Sequence, residues 1–409
     1  MKHEVGADGE ILDSKPSGLW LMIVLGTLLA FASISTDLYL PAMPSMSAAL
    51  GTTQGSLQYT VSGYLIGFSI GQLFWGPIGD RYGRRLPVAI GLVLFMVGCA
   101  GCALSTDIVQ LISWRILQAV GACASVVLGR AMVRDLYTRD RAAGVLSTLM
   151  TIMAIAPLLG PSIGGLILKL GSWQAIFWTL VGIGLVTTAA LFTLPETLPV
   201  QRRNVEPLKI AFTAYGSLIT DVRLLGYAGT LGFFYFGVFA NISSSSFAYI
   251  DYHHLSPQLF GLVFAAGTVG LMATNFINSR LVTRFGSDRI LKLGAAGAAI
   301  AGVMLAFVTA TDSGGVVAMA VSLCLFIAMN GFISANAISG ALADFPMRAG
   351  TVSALMGAIQ YGSGVLGSAV AGTFADGTPW PMGWVIAIGG VGSLVCSMLV
   401  KRSVANGQV

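Results

Sequence analysis

The decapeptide GPIGDRYGRR at 76–85 restricts this chain more than any other stretch. One aspartate, three arginines and three glycines sit between two apolar segments, each about one helix long. A connector this short holds no domain; it reads as a tight charged turn between two buried helices. Apolar runs of about 20 residues are long enough to cross a bilayer. The chain has many of them: 55% of its 409 residues are hydrophobic and only 10% are charged, against about 25% charge in soluble proteins. With a mean hydropathy of +0.82 it lacks the polar shell that a soluble core of this size needs. Several membrane spans are the direct explanation. The net charge of +5 does not point to nucleic acid, because the basic residues lie between apolar runs, where topology and lipid headgroups account for them.

Taken in order, the chain begins with a polar tail of mixed charge, 1–18, expected to be cytoplasmic. A first span follows over Leu19–Leu40; its length, and an acidic as well as basic flank, argue against a cleaved signal peptide. Further spans are expected at about 56–77, 86–104, 108–129, 144–168 and 173–194. A polar stretch at 195–222 then carries Pro195, Pro199, Pro207, Arg202, Arg203 and Lys209. Six more spans are expected at about 224–248, 259–280, 290–310, 315–341, 351–373 and 381–400, before a short tail at 401–409. The reading is an all-α membrane protein of twelve helices. Two six-helix bundles, 19–194 and 223–400, are joined by a central cytoplasmic loop. The two parts echo each other faintly: VRDLYTRDRAAGVLSTLM (133–150) resembles ADFPMRAGTVSALM (343–356), and RYGRR corresponds to RFG at 284–286. Weak internal symmetry of this kind marks duplicated transporter halves.

Charge sets the orientation. With both termini inside, the inner segments hold 20 of the 22 Lys and Arg residues. The outer loops hold only Lys169, and Arg115 lies within a span. Such a bias places the charged loops, including Arg139, Arg141 and Arg348, on the cytoplasmic side. Asp107, Asp251, Asp312 and Asp376 fall outside.

Two ionisable groups interrupt the apolar segments. Asp37 ends span 1 in SISTDLYLPAMP, and Arg115 sits about two turns into span 4 in LISWRILQAVG. A charge facing lipid is costly, so each is a candidate for a buried functional site. Both belong to the outer half of the membrane and are expected to face one cavity. The competing readings are a helix-end carboxylate reaching water for Asp37 and a snorkelling side chain for Arg115. The three histidines, His3, His253 and His254, lie in the tail or an outer loop, which leaves Asp37 as the proton-carrying candidate. Among uncharged polar residues, Tyr39, Tyr64 and Gln118 are candidates to line the cavity; the alternative is hydrogen bonding between helices.

Glycine and proline patterns need sorting. APLLGPSIGG (156–165) puts Pro157 and Pro161 inside span 5, where proline bends a helix. Gly160 and Gly164 lie four apart on one face, with Gly165 beside them, and permit close packing. YGSGVLG (361–367) is formally GxGxxG, but its flanks are helical and apolar, so helix packing explains it and a dinucleotide site does not. There is no GxxxxGK[ST], hence no encoded ATP-driven pump. Cys99 and Cys102 form a CxxC within a span and read as small buried residues rather than ligands. No metal or cofactor is expected. At the helix ends, Asp80 beside Arg81, Arg84 and Arg85 reads either as a capping group or as a conformational latch, and Gly76, Gly79 and Gly83 permit the close approach a latch needs.

These motifs together resemble the major facilitator superfamily, specifically its twelve-span drug:proton antiporters of the bicyclomycin and chloramphenicol resistance branch. Gly76, Asp80, Arg81, Gly83, Arg84 and Arg85 match the signature between spans 2 and 3. Arg115, Gln118 and Gly121 match that of span 4, Gly160, Pro161, Gly164 and Gly165 that of span 5, and TDLYLPAMP with Asp37 that of span 1. The likeness covers the chain beyond its tail. Ile78 stands where leucine is commoner, and Thr283 replaces the counterpart of Asp80 in the second part, so a latch there is expected to be different or absent. The resemblance implies alternating access driven by the proton gradient. Coupling then falls on Asp37 and Arg115, and latching on Asp80 and Arg85. A bacterial inner-membrane exporter of small amphipathic compounds, such as antibiotics, is expected. It is expected to act as a monomer with no nucleic-acid partner. The alternatives are an exporter of an endogenous nucleoside, amino acid or sugar-like solute, a proton-coupled importer, a membrane sensor or scaffold, and a membrane-embedded enzyme. The last would need clustered nucleophiles or ligands, which the sequence does not display.

Overall fold

The computed structural model describes residues 18–137, 145, 148–149, 153, 155–203, 221–345 and 349–400. The expected tails (apart from Gly18), most of the central 195–222 connection, and Arg139, Arg141, Lys209 and Arg348 lie outside them.

Among the described residues all regular structure is helical. The chain runs α1 (Gly18–Asp37), α2 (Met43–Ala49), α3 (Gln54–Tyr82), α4 (Arg85–Ala103), α5 (Ile108–Leu136), α6 (Ile155–Leu170) and α7 (Trp173–Phe192). It continues through α8 (Val222–Ser246), α9 (Pro257–Phe285), α10 (Ser287–Thr311), α11 (Gly315–Ala328), α12 (Asn330–Asp344), α13 (Ala349–Thr373) and α14 (Trp380–Leu399). Ten helical stretches are long and apolar enough to cross a membrane, with α11 and α12 counted as one. Two more helices fall outside that set. In α3, Gln58, Tyr59, Thr60, Ser62, Ser69 and Gln72 dilute the hydropathy of a 29-residue helix, while α6 has 16 described residues. The protein is thus an all-α, multi-spanning membrane protein.

Several helices outrun their expected apolar segments. Helix α3 reaches Tyr82 rather than 77, α5 reaches Leu136 rather than 129, and α9 reaches Phe285 rather than 280. Polar side chains do not stop a helix once its backbone is paired, so hydropathy alone undercounts each end. The helix starts carry side-chain caps: Thr53, Asp107, Asp221 and Ser256 each accept a backbone N–H from the first turn, satisfying donors that a helix N-terminus leaves free.

Helices α1, α3, α4, α5, α6 and α7 pack among themselves, chiefly α3 and α4 on α5, α4 on α7, and α1 on α5 and α6. Helices α8 to α14 do likewise, with α14 between α8 and α10 and with α13 against α8. Small residues carry the closest contacts. A β-carbon on Gly91 of α4 would meet Ala124 of α5, and one on Gly389 of α14 would meet the Gly237 backbone of α8. In lipid, where burying oil in oil gains little, this intimacy of packing is what holds helices together. Leu86, Ile90, Val93 and Val97 of α4 form the opposite face, an exposed apolar stripe at helical spacing, suited to lipid.

Contacts between the two groups run mainly along α3 with α13 and α6 with α9. At the end of the molecule carrying Asp37 these contacts are tight. Tyr59 hydrogen-bonds to Thr373 at 2.9 Å, Ser62 to Ser368 at 2.7 Å, and Ser244 donates to Gln58 at 3.1 Å. Two irregularities flank the space between the groups. After Ser246, α8 rewinds as a π-helix over Phe247–Tyr252, and the expected 315–341 span breaks at Met329 between α11 and α12. Extra or broken turns of this sort re-aim side chains.

Candidate functional site

A cavity of about 230 Å³ lies between the two groups of helices. Ser33 and Asp37 of α1 and Pro157 of α6 line one wall; Asn241 of α8, Thr268 of α9 and Asn330 at the start of α12 lie on the other. The rest of the lining is mostly apolar and includes Tyr249, carried there by the π-turn. Asp37 is the one carboxylate among these residues, and no Lys, Arg or His is among them.

Asp37 is buried, and its Oδ2 has no hydrogen-bond partner among the described residues. Its position follows from its neighbours. On one side stands the glycine face of α6: a β-carbon on Gly160 would lie 2.7 Å from that of Asp37, and one on Gly164 would overlap the Leu38 carbonyl. A larger residue at either place would push α1 and α6 apart. Arg115 meets the same end of α1 at Ser35 and Tyr39.

Arg115 is 0% exposed. Its guanidinium carbon lies 4.5 Å from the centroid of the Tyr39 ring and 4.4 Å from that of Tyr64. Nη1 donates to the Ser35 carbonyl at 3.3 Å and to Gln118 Oε1 at 2.6 Å. Two ring faces and a carbonyl thereby replace part of the lost hydration, although Nε and Nη2 have no partner among the described residues. Further bonds brace the cage. Tyr64 and Ser35 share a 2.6 Å hydrogen bond, Tyr39 bonds to Thr60, and Gln118 Nε2 donates to the Cys99 thiol at 3.0 Å.

This departs from the expectation that Asp37 and Arg115 face one cavity. Asp37 lines it; Arg115, Tyr39, Tyr64 and Gln118 are buried and are not among its lining residues. The physical reason is that the arginine finds partners away from the cavity, in two aromatic faces, the Ser35 carbonyl and the Gln118 amide. It forms no ion pair with Asp37 in this conformation. It instead grips α1 two residues before the acid, at Ser35, and packs on the ring two residues after it, at Tyr39. A polar position on a helix wheel does not reveal which of two inward faces it serves. The lining residues Ser245, Thr268 and Tyr249 escaped the sequence reading for the same reason.

At the opposite end of the molecule, Arg84 is the hub of the GPIGDRYGRR turn. Its Nη1 bonds Asp80 Oδ1 at 2.7 Å and its Nε bonds Asp135 Oδ2 at 2.8 Å. Arg84 is buried, whereas the Asp80 side chain is 51% exposed. Asp80 was expected to act with Arg85. Arg85 instead donates to the Phe192 carbonyl at 2.6 Å and lies 4.8 Å from the Phe192 ring centroid. Arg81 is exposed beside Tyr82. Glu196 closes the turn by accepting the N–H groups of Arg84 at 2.8 Å and Arg85 at 3.1 Å. Burial pushes its carboxyl up. The backbone donors of Arg84, Leu198 and Arg85, with the Arg203 charge, outweigh that and hold it below the usual glutamate range. Gly83 has φ +89°, a conformation side chains resist, and Glu196 and Arg203 crowd the place of its missing β-carbon. Gly79 fits against Leu128 and Arg84. Gly76 has open space around it, so it serves no close approach in this conformation.

In α6, Pro161 lies inside the helix and Pro157 in the first turn described, facing the cavity. Gly165 approaches the Pro257 backbone of α9, and the Gly165 carbonyl accepts from Gln258 at 3.5 Å. The span 5 signature therefore touches Asp37 and Leu38 at one place and the second group of helices at another.

Residues 23–368 match the model of the Major Facilitator Superfamily. The chain belongs to the major facilitator superfamily. It is 32% identical to the bicyclomycin resistance protein homolog of Haemophilus influenzae, over 91% of this chain and 93% of that one. It is 33% identical to a chloramphenicol resistance protein of Pseudomonas aeruginosa, over 86% and 83%. Its fold is that of a D-xylose–proton symporter, with TM-score 0.73 at 17% identity over 93% of this chain and 96% of the other. The protein is a secondary transporter of a small solute rather than an enzyme. It is a multi-pass protein of the bacterial inner membrane.

Proposed function

We propose that the protein is a proton-coupled antiporter of the bicyclomycin and chloramphenicol resistance branch, exporting small amphipathic compounds. In this reading twelve spans form two six-helix bundles, 19–194 and 223–400. Both termini and the 195–222 loop are cytoplasmic, so the Asp80 end is the inner face. The contacts between α3 and α13 and between α6 and α9 then close the outer face, and the conformation described is inward-facing.

One observation carries the reading: a buried carboxylate with an unpartnered oxygen on the wall of a mostly apolar cavity. An acid in that position exchanges a proton with whichever face the cavity opens to, and it competes for the donor groups of a solute. Asp37 is the coupling group. Arg115, with Tyr39, Tyr64 and Gln118, holds the last turn of α1 in place. Asp80, Arg84 and Asp135, with Glu196, form the inner-face latch. The glycines of α6 set the distance from that helix to Asp37.

The test is uptake of chloramphenicol and a panel of amphipathic compounds into inverted vesicles with an imposed pH gradient. Gradient-dependent uptake is expected, with loss of the gradient-dependent part in Asp37→Asn. Uptake indifferent to the gradient, or an unchanged Asp37→Asn variant, would overturn the assignment.

A further inference from the structure

The second group of helices retains the shape of the α3–α4 turn but not its charges. Gly286 joins α9 to α10 with φ +79°, as Gly83 joins α3 to α4 with φ +89°. Thr283 stands three residues before it, where Asp80 precedes Gly83, and Ser287 stands where Arg84 follows. The carboxylate at the end of the fourth helix is nevertheless present in both groups: Asp135 in the last turn of α5, and Asp344 at the end of α12. Asp344 therefore lacks the arginine that its counterpart has.

The missing cation arrives from a different helix. Arg223, the second residue of α8, lies between two acids. Its Nε is 3.0 Å from Asp344 Oδ2, an ion pair whose N–H is not aligned for a hydrogen bond, and its Nη2 is 3.6 Å from Asp288 Oδ2. Tyr227, one turn on, donates to Asp288 Oδ1 at 2.7 Å and accepts from Arg223 Nη2 at 3.3 Å. The ring is seated by Gly340 of α12, where a β-carbon would come within 2.8 Å of its hydroxyl. Asp221 fixes the start of α8 by accepting the N–H of Arg223 at 2.9 Å and of Leu224 at 2.8 Å. Tyr227 is buried, and the side chains of Arg223, Asp288 and Asp344 are 30%, 26% and 25% exposed.

We propose that Arg223 is a positioning residue for the transport cycle. With Asp288, Asp344 and Tyr227 it locks the inner ends of α8, α10 and α12 together, as Arg84 with Asp80 and Asp135 locks those of α3, α4 and α5. Neither arginine touches the cavity. Each lets six helices turn as one body when the cavity changes sides.

The two locks differ in one consequential respect. The first is closed by Glu196, which follows α7; the second is carried by Arg223, which begins α8. Both flank the stretch 204–220 that joins the two groups. The inference rests on the transporter reading only in taking this end of the molecule as the face that opens and closes.

The test measures conformation and turnover separately. Spin labels at Leu136→Cys and Ser279→Cys, both exposed on inner ends, report the α5–α9 distance in lipid nanodiscs, with the five native cysteines replaced. Arg223→Ala is expected to about double the width of the distance distribution. Chloramphenicol turnover per folded molecule in pH-gradient vesicles is expected to fall about tenfold with KM within about twofold, a coupling loss typical of a broken charge network. The charge exchange Arg223→Asp with Asp344→Arg is expected to recover most of both. A parent-like distance distribution in Arg223→Ala would overturn the proposal. A shortened thermal half-life with turnover per folded molecule unchanged would also overturn it, since that is the mark of a merely structural clamp. If the parent moves no chloramphenicol, the export reading fails, and the distance measurement still decides the role of Arg223.

Discussion

Gly164→Ala separates packing from helix propensity in one substitution. The added methyl carbon would lie 2.8 Å from the Leu38 carbonyl carbon, 3.1 Å from its Cα, and overlap its oxygen. Carbon–carbon contacts are comfortable at about 3.5–4.0 Å, so α6 must retreat from α1 by roughly half an ångström or more. The obstacle is backbone, which has no rotamer to change. Overpacking of this kind costs about 1–3 kcal/mol, and a backbone obstacle favours the upper part of that range. Replacing glycine by alanine inside a helix returns about 0.5–1 kcal/mol. The net is a destabilisation of about 2 kcal/mol, a change of about 30-fold in the folded-to-unfolded ratio. Gly182→Ala in α7 is the control. Nothing lies within 4 Å of the added carbon there, so only the helix term of about 0.5–1 kcal/mol remains, with stabilising sign. The assay is the inactivation half-life of both variants and the parent in one detergent, since unfolding of such proteins is commonly irreversible. Gly164→Ala should also weaken efflux, because the strained contact adjoins Asp37. If Gly164→Ala survives as long as Gly182→Ala, the contact between α1 and α6 is not what this glycine serves.

Three further outcomes follow from the same geometry. Ser62→Cys with Ser368→Cys should cross-link α3 to α13 on oxidation, since the two native hydroxyls are 2.7 Å apart; efflux should stop and return with reductant, and efflux through a fully cross-linked protein would refute an outer seal at this place. Arg115→Lys keeps the charge but loses the planar group that meets Tyr39, Tyr64, Ser35 and Gln118 together; efflux should fall about tenfold, and full activity would show that any cation serves. Glu196 has a depressed folded-state pKa, so its contribution to stability is present above the ordinary value of 4.5 and is lost as pH falls through the lower folded value. The parent should therefore outlast Glu196→Gln in thermal half-life above about pH 5, and the gap should close on acidification; a gap independent of pH would assign the effect to shape rather than charge.

The membrane class and most helices were legible because lipid imposes one requirement everywhere, a long apolar run with its backbone paired internally. What hydropathy could not supply was the facing of each polar residue. Asp37 and Arg115 stood out as charges in apolar surroundings, but whether they meet each other, water or a ring depends on helix rotation, which no local pattern records. Arg84 shows the limit differently. Its motif was plain, yet its partner Asp135 lies 51 residues on, and Glu196, which closes the turn, lies in a polar stretch where an acid attracts no notice. Gly76, Gly79 and Gly83 read alike in sequence; only Gly79 and Gly83 meet close neighbours.

Thr283 makes the same point about absence. The loss of the Asp80 counterpart left two readings, a different latch or none, because sequence compares position with position. The physical requirement is not that a given position be charged but that a buried or half-buried carboxylate find a cation. Asp344 poses that requirement, and the helix that answers it is whichever neighbour brings an arginine to the same depth. Arg223 does so from the first turn of α8, where Asp221 caps the helix and fixes the direction in which the side chain leaves. A lock of this kind therefore needs only the same balance of charge at the same depth, and the residue that supplies the cation can sit on another helix.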